Sequence, residues 1–393
     1  MIGINNGATL RKYSAILCAL GWLSAAPAHA GGFSLPVADT DILFTEGNFS
    51  IRIGALGIFP NQSFSTIRGQ RVGYANYVDP IPAPSFAVKF RIAPELSCAF
   101  HFSYPYGIEA SYNLAAQNAQ ALSFAEVGLL PNATRSIRLT TQEYGTTCAA
   151  SANVGPGKLY VLGGGFLEGV QYRENTRLGT LNLEQDAKAG YRVGLAYAVP
   201  EYAMRMQVMY RSAVDHALTG NFTLGPLASA IGLSGGPLVA TGAGTLPQSV
   251  RVYAQTGIAP QWLVYGAFTW VNWSVLPQFG FTIDQLGPSS KILGLRDGFT
   301  TQVGVGHAFT DRLSGTVNLN WDTKTGSAAF ILPASVGVGL GLEYKTDYGK
   351  IASGVLLARL SGGSQTFAAG ATVDGTAGPG YAVVTGLSYL LDF

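Results

Sequence analysis

Charge is scarce in this chain, with only 12% of its 393 residues being Asp, Glu, Lys or Arg. The 24 basic residues stand against 22 acidic ones, for a formal net charge of +2. That balance offers no basic face to nucleic acid. Cysteine is nearly absent as well: the three are Cys18, Cys98 and Cys148, with no CxxC pair and no zinc spacing among them. His101, His216 and His307 lie in separate segments without a serine or carboxylate constellation beside them. Protease or acyltransfer chemistry is therefore not expected, and neither is a metal or a cofactor. Beyond the first 30 residues no apolar run approaches the roughly 18 residues a spanning helix needs, which excludes an inner-membrane helical protein.

Glycine and short alternating segments are what the chain has instead, with 51 glycines spread along its length. Residues 1–30 stand apart. Arg11 and Lys12 precede an apolar run from Tyr13 to Ala26, and Ala28-His29-Ala30 supplies the small residues a signal peptidase reads. This is a secretion signal; a membrane anchor is the alternative, but the run is short for a span. The residues before Cys18 (Ala15-Ile16-Leu17) lack the small residue of a lipoprotein site. Removal of the signal takes two basic residues and no acidic ones, bringing the mature chain near zero net charge. It also leaves Cys98 and Cys148 in a compartment where disulfides persist.

Residues 31–46 show no sustained period. From Asn48 onward the period is two. The cleanest case sets Leu313, Gly315, Val317, Leu319 and Trp321 against Ser314, Thr316, Asn318, Asn320 and Asp322. Such segments are expected near 47–59, 84–92, 96–106, 136–152, 158–175, 187–199, 203–223, 247–258, 262–281, 297–309, 313–323, 333–346, 350–361 and 379–393. Their number is even, and tight turns such as Ala93-Pro94-Glu95 and Gly155-Pro156-Gly157 alternate with longer linkers. The expectation is an all-β, 14-stranded antiparallel outer-membrane β-barrel over residues 47–393, with short turns in the periplasm and long loops outside. A secreted β-sandwich or propeller would also alternate, but no blade-length repeat is visible. Glu126 and Asp322 read as ordinary loop or lumen charges. One strand is irregular: Cys98 to Tyr112 begins by alternating and then carries Pro105 and Gly107, a pair that interrupts a ladder. It marks either a kink in the wall or the end of the strand.

The runs Tyr210-Arg-Ser-Ala-Val-Asp-His-Ala-Leu-Thr-Gly-Asn-Phe222, Leu246-Pro-Gln-Ser-Val-Arg251, Ala259 to Ser274 and Gly294-Leu-Arg-Asp-Gly298 resemble the long-chain fatty acid transporter family of outer-membrane proteins, which also includes importers of toluene-like hydrocarbons. The resemblance covers essentially the whole mature chain. It implies a lumen closed by an N-terminal hatch and a lateral opening at a kink in the third strand. Pro105, Tyr106 and Gly107 would be that gate. Residues 31–46 would be the hatch, although this segment is shorter than the family's and lacks its Asn-Pro-Ala motif. Arg177 and Lys291 stand where the family places basic residues that meet a fatty acid head group, and Phe33 resembles the aromatic that reaches the pocket.

Two loops are richly apolar. Leu114 to Leu130 includes Leu122 and Phe124, and Leu224 to Val239 includes Leu227 and Ile231; together they are expected to form a first capture groove or a cap over the barrel. Cys98 and Cys148 fall near the same end of neighbouring strands, either as a disulfide or as two separate thiols. The terminal alternation ending in Phe393 looks like the signal read by the barrel assembly machinery. Passive uptake of a hydrophobic small molecule follows as the expected function, most readily a long-chain fatty acid delivered into outer-membrane lipid. The alternatives are an importer of aromatic hydrocarbons, a general diffusion porin, or a structural or adhesive barrel without cargo.

Overall fold

The computed structural model describes residues 32–73 and 76–393, so the signal segment lies outside the described residues. Fourteen strands form the wall: β1 (Phe49–Asn61), β2 (Ile81–Ala93), β3 (Leu96–Ser103 and Gly107–Ser111), β4 (Thr134–Val154), β5 (Gly157–Thr176), β6 (Gly179–Val199), β7 (Met204–Arg211 and Val214–Leu224), β8 (Leu238–Leu246 and Ser249–Ala259), β9 (Trp262–Val271 and Gln278–Ile283), β10 (Gly287–Ile292 and Gly298–Ala308), β11 (Leu313–Asp322), β12 (Ser335–Lys345), β13 (Gly349–Leu360) and β14 (Gly380–Asp392). Each pairs antiparallel with the next, and β14 returns to β1 in a register from Ser50↔Asp392 to Asn61↔Tyr381, closing the barrel. The chain end completes the seam, where the Asn48 amide donates to the Phe393 carbonyl oxygen at 2.6 Å.

The barrel turns the usual burial rule inside out, because lipid is its outer solvent. Along β11 the outward Val317, Leu319 and Trp321 are exposed, while the inward Thr316, Asn318, Asn320 and Asp322 are buried. Asp322 accepts from the hydroxyls of Thr300 and Ser335, as a lumen charge should. At the short-turn end Tyr202, Trp262, Phe309, Tyr344 and Tyr348 stand outward as an aromatic belt.

The fourteen expected strands are present, with differences above the apolar band. β6 begins at Gly179 rather than near 187, and Leu238–Leu246 and Gly287–Ile292 belong to the wall. These stretches alternate weakly because their outer face meets water, not lipid. A helix, α1 (Leu114–Glu126), occupies the first apolar loop, started by Asn113, whose side chain accepts from the Ala116 amide at 2.9 Å. The second loop holds only a short helical turn, α2 (Pro226–Ala230). A small four-stranded sheet made from Phe64–Ile67, Gln70–Arg71, Gly363–Gln365 and Gly375–Ala377 lies beside α1.

Candidate ligand pocket and wall opening

β3 is broken between Ser103 and Gly107, and the break is a bulge. Ser103 faces Glu143 but Gly107 faces Thr140, so four steps on β3 answer three on β4. Contact with β4 survives, since Tyr106 and Thr141 exchange hydrogen bonds. Contact with β2 does not. The last pair below is Phe86↔Phe102, and pairing resumes only where the Asp79 amide donates to the Glu109 carbonyl oxygen at 2.9 Å. Between those points the wall has a window.

The other jamb of this window carries two prolines that the sequence reading overlooked. On β2 the Arg91 amide donates to Asn48 on the β1 side, which sets the odd-numbered residues toward β1 and the even-numbered ones toward β3. Pro82 and Pro84 are therefore on the edge that faces the gap, where each removes the donor a ladder would need. Both sides of the opening are thus unable to zip up. A cavity of about 640 Å³ runs through it, lined from inside by Leu35, Leu139 and Leu183, from outside by Arg138 and Gln142, and at the edges by Pro82, Pro84, Tyr104 and Gly107. Just below, Phe102, Tyr104 and Tyr144 form an outward aromatic cluster with centroids 5.3 and 4.9 Å apart. Such clusters mark the membrane interface, which puts the window at the outer rim of the apolar band.

The N-terminal segment occupies the hydrogen-bonding edge that β2 leaves vacant. The Leu35 amide donates to the Pro105 carbonyl oxygen and the Gly107 amide to that of Phe33, both at 2.8 Å. The approach is close: a Cβ on Gly107 would lie 2.9 Å from Leu35 Cδ1 and 3.2 Å from the Leu139 carbonyl oxygen. Further along, Asp39 pairs with Arg52 at 2.6 Å and Asp41 with Arg205 at 3.0 Å, which pins the segment inside the lumen. Burial pushes the Asp39 carboxyl above its usual range despite Arg52.

Above the segment lies an apolar pocket of about 80 Å³, lined by Phe33, Ile108, Leu139, Tyr172, Leu218 and Phe279 among others, with Lys291 at its wall. It shares Ile108, Leu139 and Tyr172 with the window cavity. Its floor is aromatic: Trp273 is fully buried and packs edge-on against both Phe33 and Tyr106, at 5.4 and 5.2 Å. Beneath the floor is a buried charge network. Glu143 takes Arg192 and Arg211, Arg211 also reaches Glu168 at 2.9 Å, and Glu168 lies 3.6 Å from His216.

The residues anticipated from sequence divide accordingly. Phe33 and Lys291 line the pocket, and Pro105, Tyr106 and Gly107 form the break. Lys291 is not free, however: its ammonium lies 2.7 Å from Glu174, which also accepts from Tyr172 and Thr134. Arg177 is not among the pocket's lining residues; its guanidinium donates to Asn118 of α1 at 2.6 Å. Leu122 and Ile231 are exposed, Leu227 is half-buried, and Phe124 packs on Phe367 rather than on the second loop. The two loops meet instead through the turn at Arg177 and Leu178, to which Leu227 and Gly225 donate. Cys98 and Cys148 are directly opposite on β3 and β4 and are joined by a disulfide. Glu174 was missed because its partner Lys291 comes from a strand distant in sequence, and Pro82 and Pro84 because the edge they occupy is set only by the pairing of β2 with β1.

A closed fourteen-stranded barrel, polar within and apolar without, carrying a greasy pocket and a wall window, is a bacterial outer-membrane transport barrel. Residues 76–324 match the family described as outer membrane protein transport protein (OMPP1/FadL/TodX), and the chain belongs to that family. It is a transport protein for hydrophobic compounds in the bacterial outer membrane, and not an enzyme. No curated protein matches it in sequence. Among solved structures, a Pseudomonas aeruginosa FadL homologue is similar at 12% identity with a TM-score of 0.67, covering 94% of this chain and 98% of that one. The Pseudomonas putida toluene transporter TodX is similar at 12% identity and a TM-score of 0.61, with 90% and 92% covered. The Ralstonia pickettii toluene transporter TbuX follows at 12% and 0.58, with 89% and 90% covered. At these identities the likeness is one of fold.

Proposed function

We propose that the protein takes up hydrophobic compounds by capture at the apolar loops, transfer into the Phe33 pocket, and lateral exit through the window between β2 and β3. The observation that carries this reading is the continuity of pocket and window, which share Ile108, Leu139 and Tyr172. An apolar molecule moving along that route passes from the apolar pocket past Ile108, Leu139 and Tyr172 to the window, whose outer mouth is polar, and need not cross the charged lumen below. Residues 31–46 serve as the hatch, with Tyr106 and Trp273 sealing its upper face. Phe393 ends the seam strand with its side chain outward, where the assembly machinery can read it.

Long-chain fatty acids are the first candidate cargo: the chain lies in the pocket, and the carboxylate exchanges with Glu174 for the ammonium of Lys291. A second reading, an uncharged aromatic hydrocarbon, is favoured by that same Glu174–Lys291 pair, which neutralises the one cation that lines the pocket among the described residues. Identification of compounds co-purified with the protein in mild detergent tests both. Bound fatty acid supports the first, bound neutral hydrocarbon the second, and a ligand-free protein that fails to bind oleate or toluene overturns the proposal.

A further inference from the structure

On the short-turn side of Tyr106 the lumen holds another cavity, of about 110 Å³, between Pro36–Asp41 and the inner faces of β6, β7 and β8. Val37, Met209 and Tyr253 give it an apolar side; Arg192, Arg211 and Arg251 give it a cationic one. Four arginines around it are answered: Arg192 and Arg211 by Glu143 and Glu168, Arg52 by Asp39, and Arg205 by Asp41. Arg251 differs. Among the described residues its guanidinium donates no hydrogen bond and forms no ion pair, and its Nη2 is buried without a partner. The acidic group acting on it is Asp41, which is already bonded to Arg205.

Arg251 is half-buried, and a guanidinium nitrogen shielded from water without an acceptor, as its Nη2 is, is unfavourable. Its place beside an apolar wall, with Nη2 unanswered, points to an acceptor that arrives with a ligand. Guanidinium presents paired N–H donors in a plane, which match the two oxygens of a carboxylate. We propose that this cavity is a second binding site, for the carboxylate of a small amphipathic acid, with Arg251 holding the head group and Val37, Met209 and Tyr253 covering its apolar body. The site lies on the far side of the N-terminal segment from the Phe33 pocket, and stands independently of what that pocket carries. An acid bound there would lie inside the lumen rather than on the lateral route, so small acids and larger apolar cargo could leave by different exits.

Calorimetric titration of the full mature protein in nanodiscs with octanoate tests this, with octan-1-ol as the uncharged control and acetate as the short one. The Lys291→Gln background removes the ammonium of the upper pocket. In that background octanoate should still bind, octan-1-ol and acetate should bind about tenfold or more weakly, and adding Arg251→Gln should weaken octanoate about tenfold, with Arg251→Lys restoring part of the loss. Unchanged octanoate affinity in the folded Arg251→Gln variant overturns the proposal. So does loss of all carboxylate-dependent binding in Lys291→Gln alone, an outcome that would leave the upper-pocket reading intact. Equal affinity for acetate and octanoate would overturn the amphipathic site in favour of a simple anion.

Discussion

The Tyr106 hydroxyl donates to the carbonyl oxygen of Pro247 at 2.9 Å, tying the break in β3 to the break in β8 across the lumen. Arg211 lies over the same ring with its guanidinium carbon 5.3 Å from the centroid. The aromatic that interrupts the wall is thus also the plug between the pocket and the charge network.

Tyr106→Phe removes two hydrogen bonds, the one donated to Pro247 and the one accepted from Arg211, while keeping the ring, and should cost about 2 kcal/mol with pocket binding unchanged. Tyr106→Ala should cost about 3–5 kcal/mol by opening a cavity beside Trp273. It should also connect the pocket to the lower lumen, visible as increased single-channel conductance in planar bilayers.

Glu143 is buried between Arg192 and Arg211. Glu143→Gln leaves Arg192 without a carboxylate and Arg211 with Glu168 alone, and should destabilise the barrel by about 3 kcal/mol, read as a lower midpoint in urea unfolding. Replacing Glu143 and Arg192 together by Leu and Met should be the milder change.

The Cys98–Cys148 bridge lies on the outward face of the wall, in phase with Phe100 and Phe102. A water-soluble reductant should leave it intact in the folded barrel and reach it only after heat unfolding, by thiol count. Replacing both residues by Ala should lower stability by about 2 kcal/mol and leave uptake unchanged.

Arg68 of the small sheet donates to Glu126 at the end of α1, and this hydrogen bond holds the Glu126 carboxyl below its ordinary value. A depressed carboxyl pKa contributes above the ordinary value and fades as pH falls through the depressed one. The protection of the α1 amides, measured as exchange relative to the intrinsic rate at each pH, should therefore fall in acid, modestly because the pair is exposed. Glu126→Gln should abolish that pH dependence.

Much of this was legible in order of residues because lipid imposes strict alternation. β11 could be read from Leu313 to Asp322, and the break at Pro105 and Gly107 was visible as two poor ladder residues close together. Pro82 and Pro84 were not, because which edge of β2 they occupy depends on the pairing of Arg91 with Asn48. α1 escaped notice since its apolar residues do not repeat at a helical period, although Asn113 was an available cap. Lys291 was found, but its partner Glu174 lies on a different strand, and only the closed barrel brings them together. The capture groove expected of the two loops is the least legible part, since their apolar residues pack in different directions.

The central claim is that cargo leaves sideways between β2 and β3. Its most direct test is uptake of radiolabelled oleate and toluene by cells carrying a variant with Pro82, Pro84 and Pro105 replaced by Thr and Gly107 kept, because a side chain there would meet Leu35, checked for a folded, heat-modifiable barrel. The window should zip closed, and uptake of the natural class of cargo should fall to the level of cells lacking the protein, with binding to the Phe33 pocket retained. Wild-type uptake by the folded variant would contradict lateral exit.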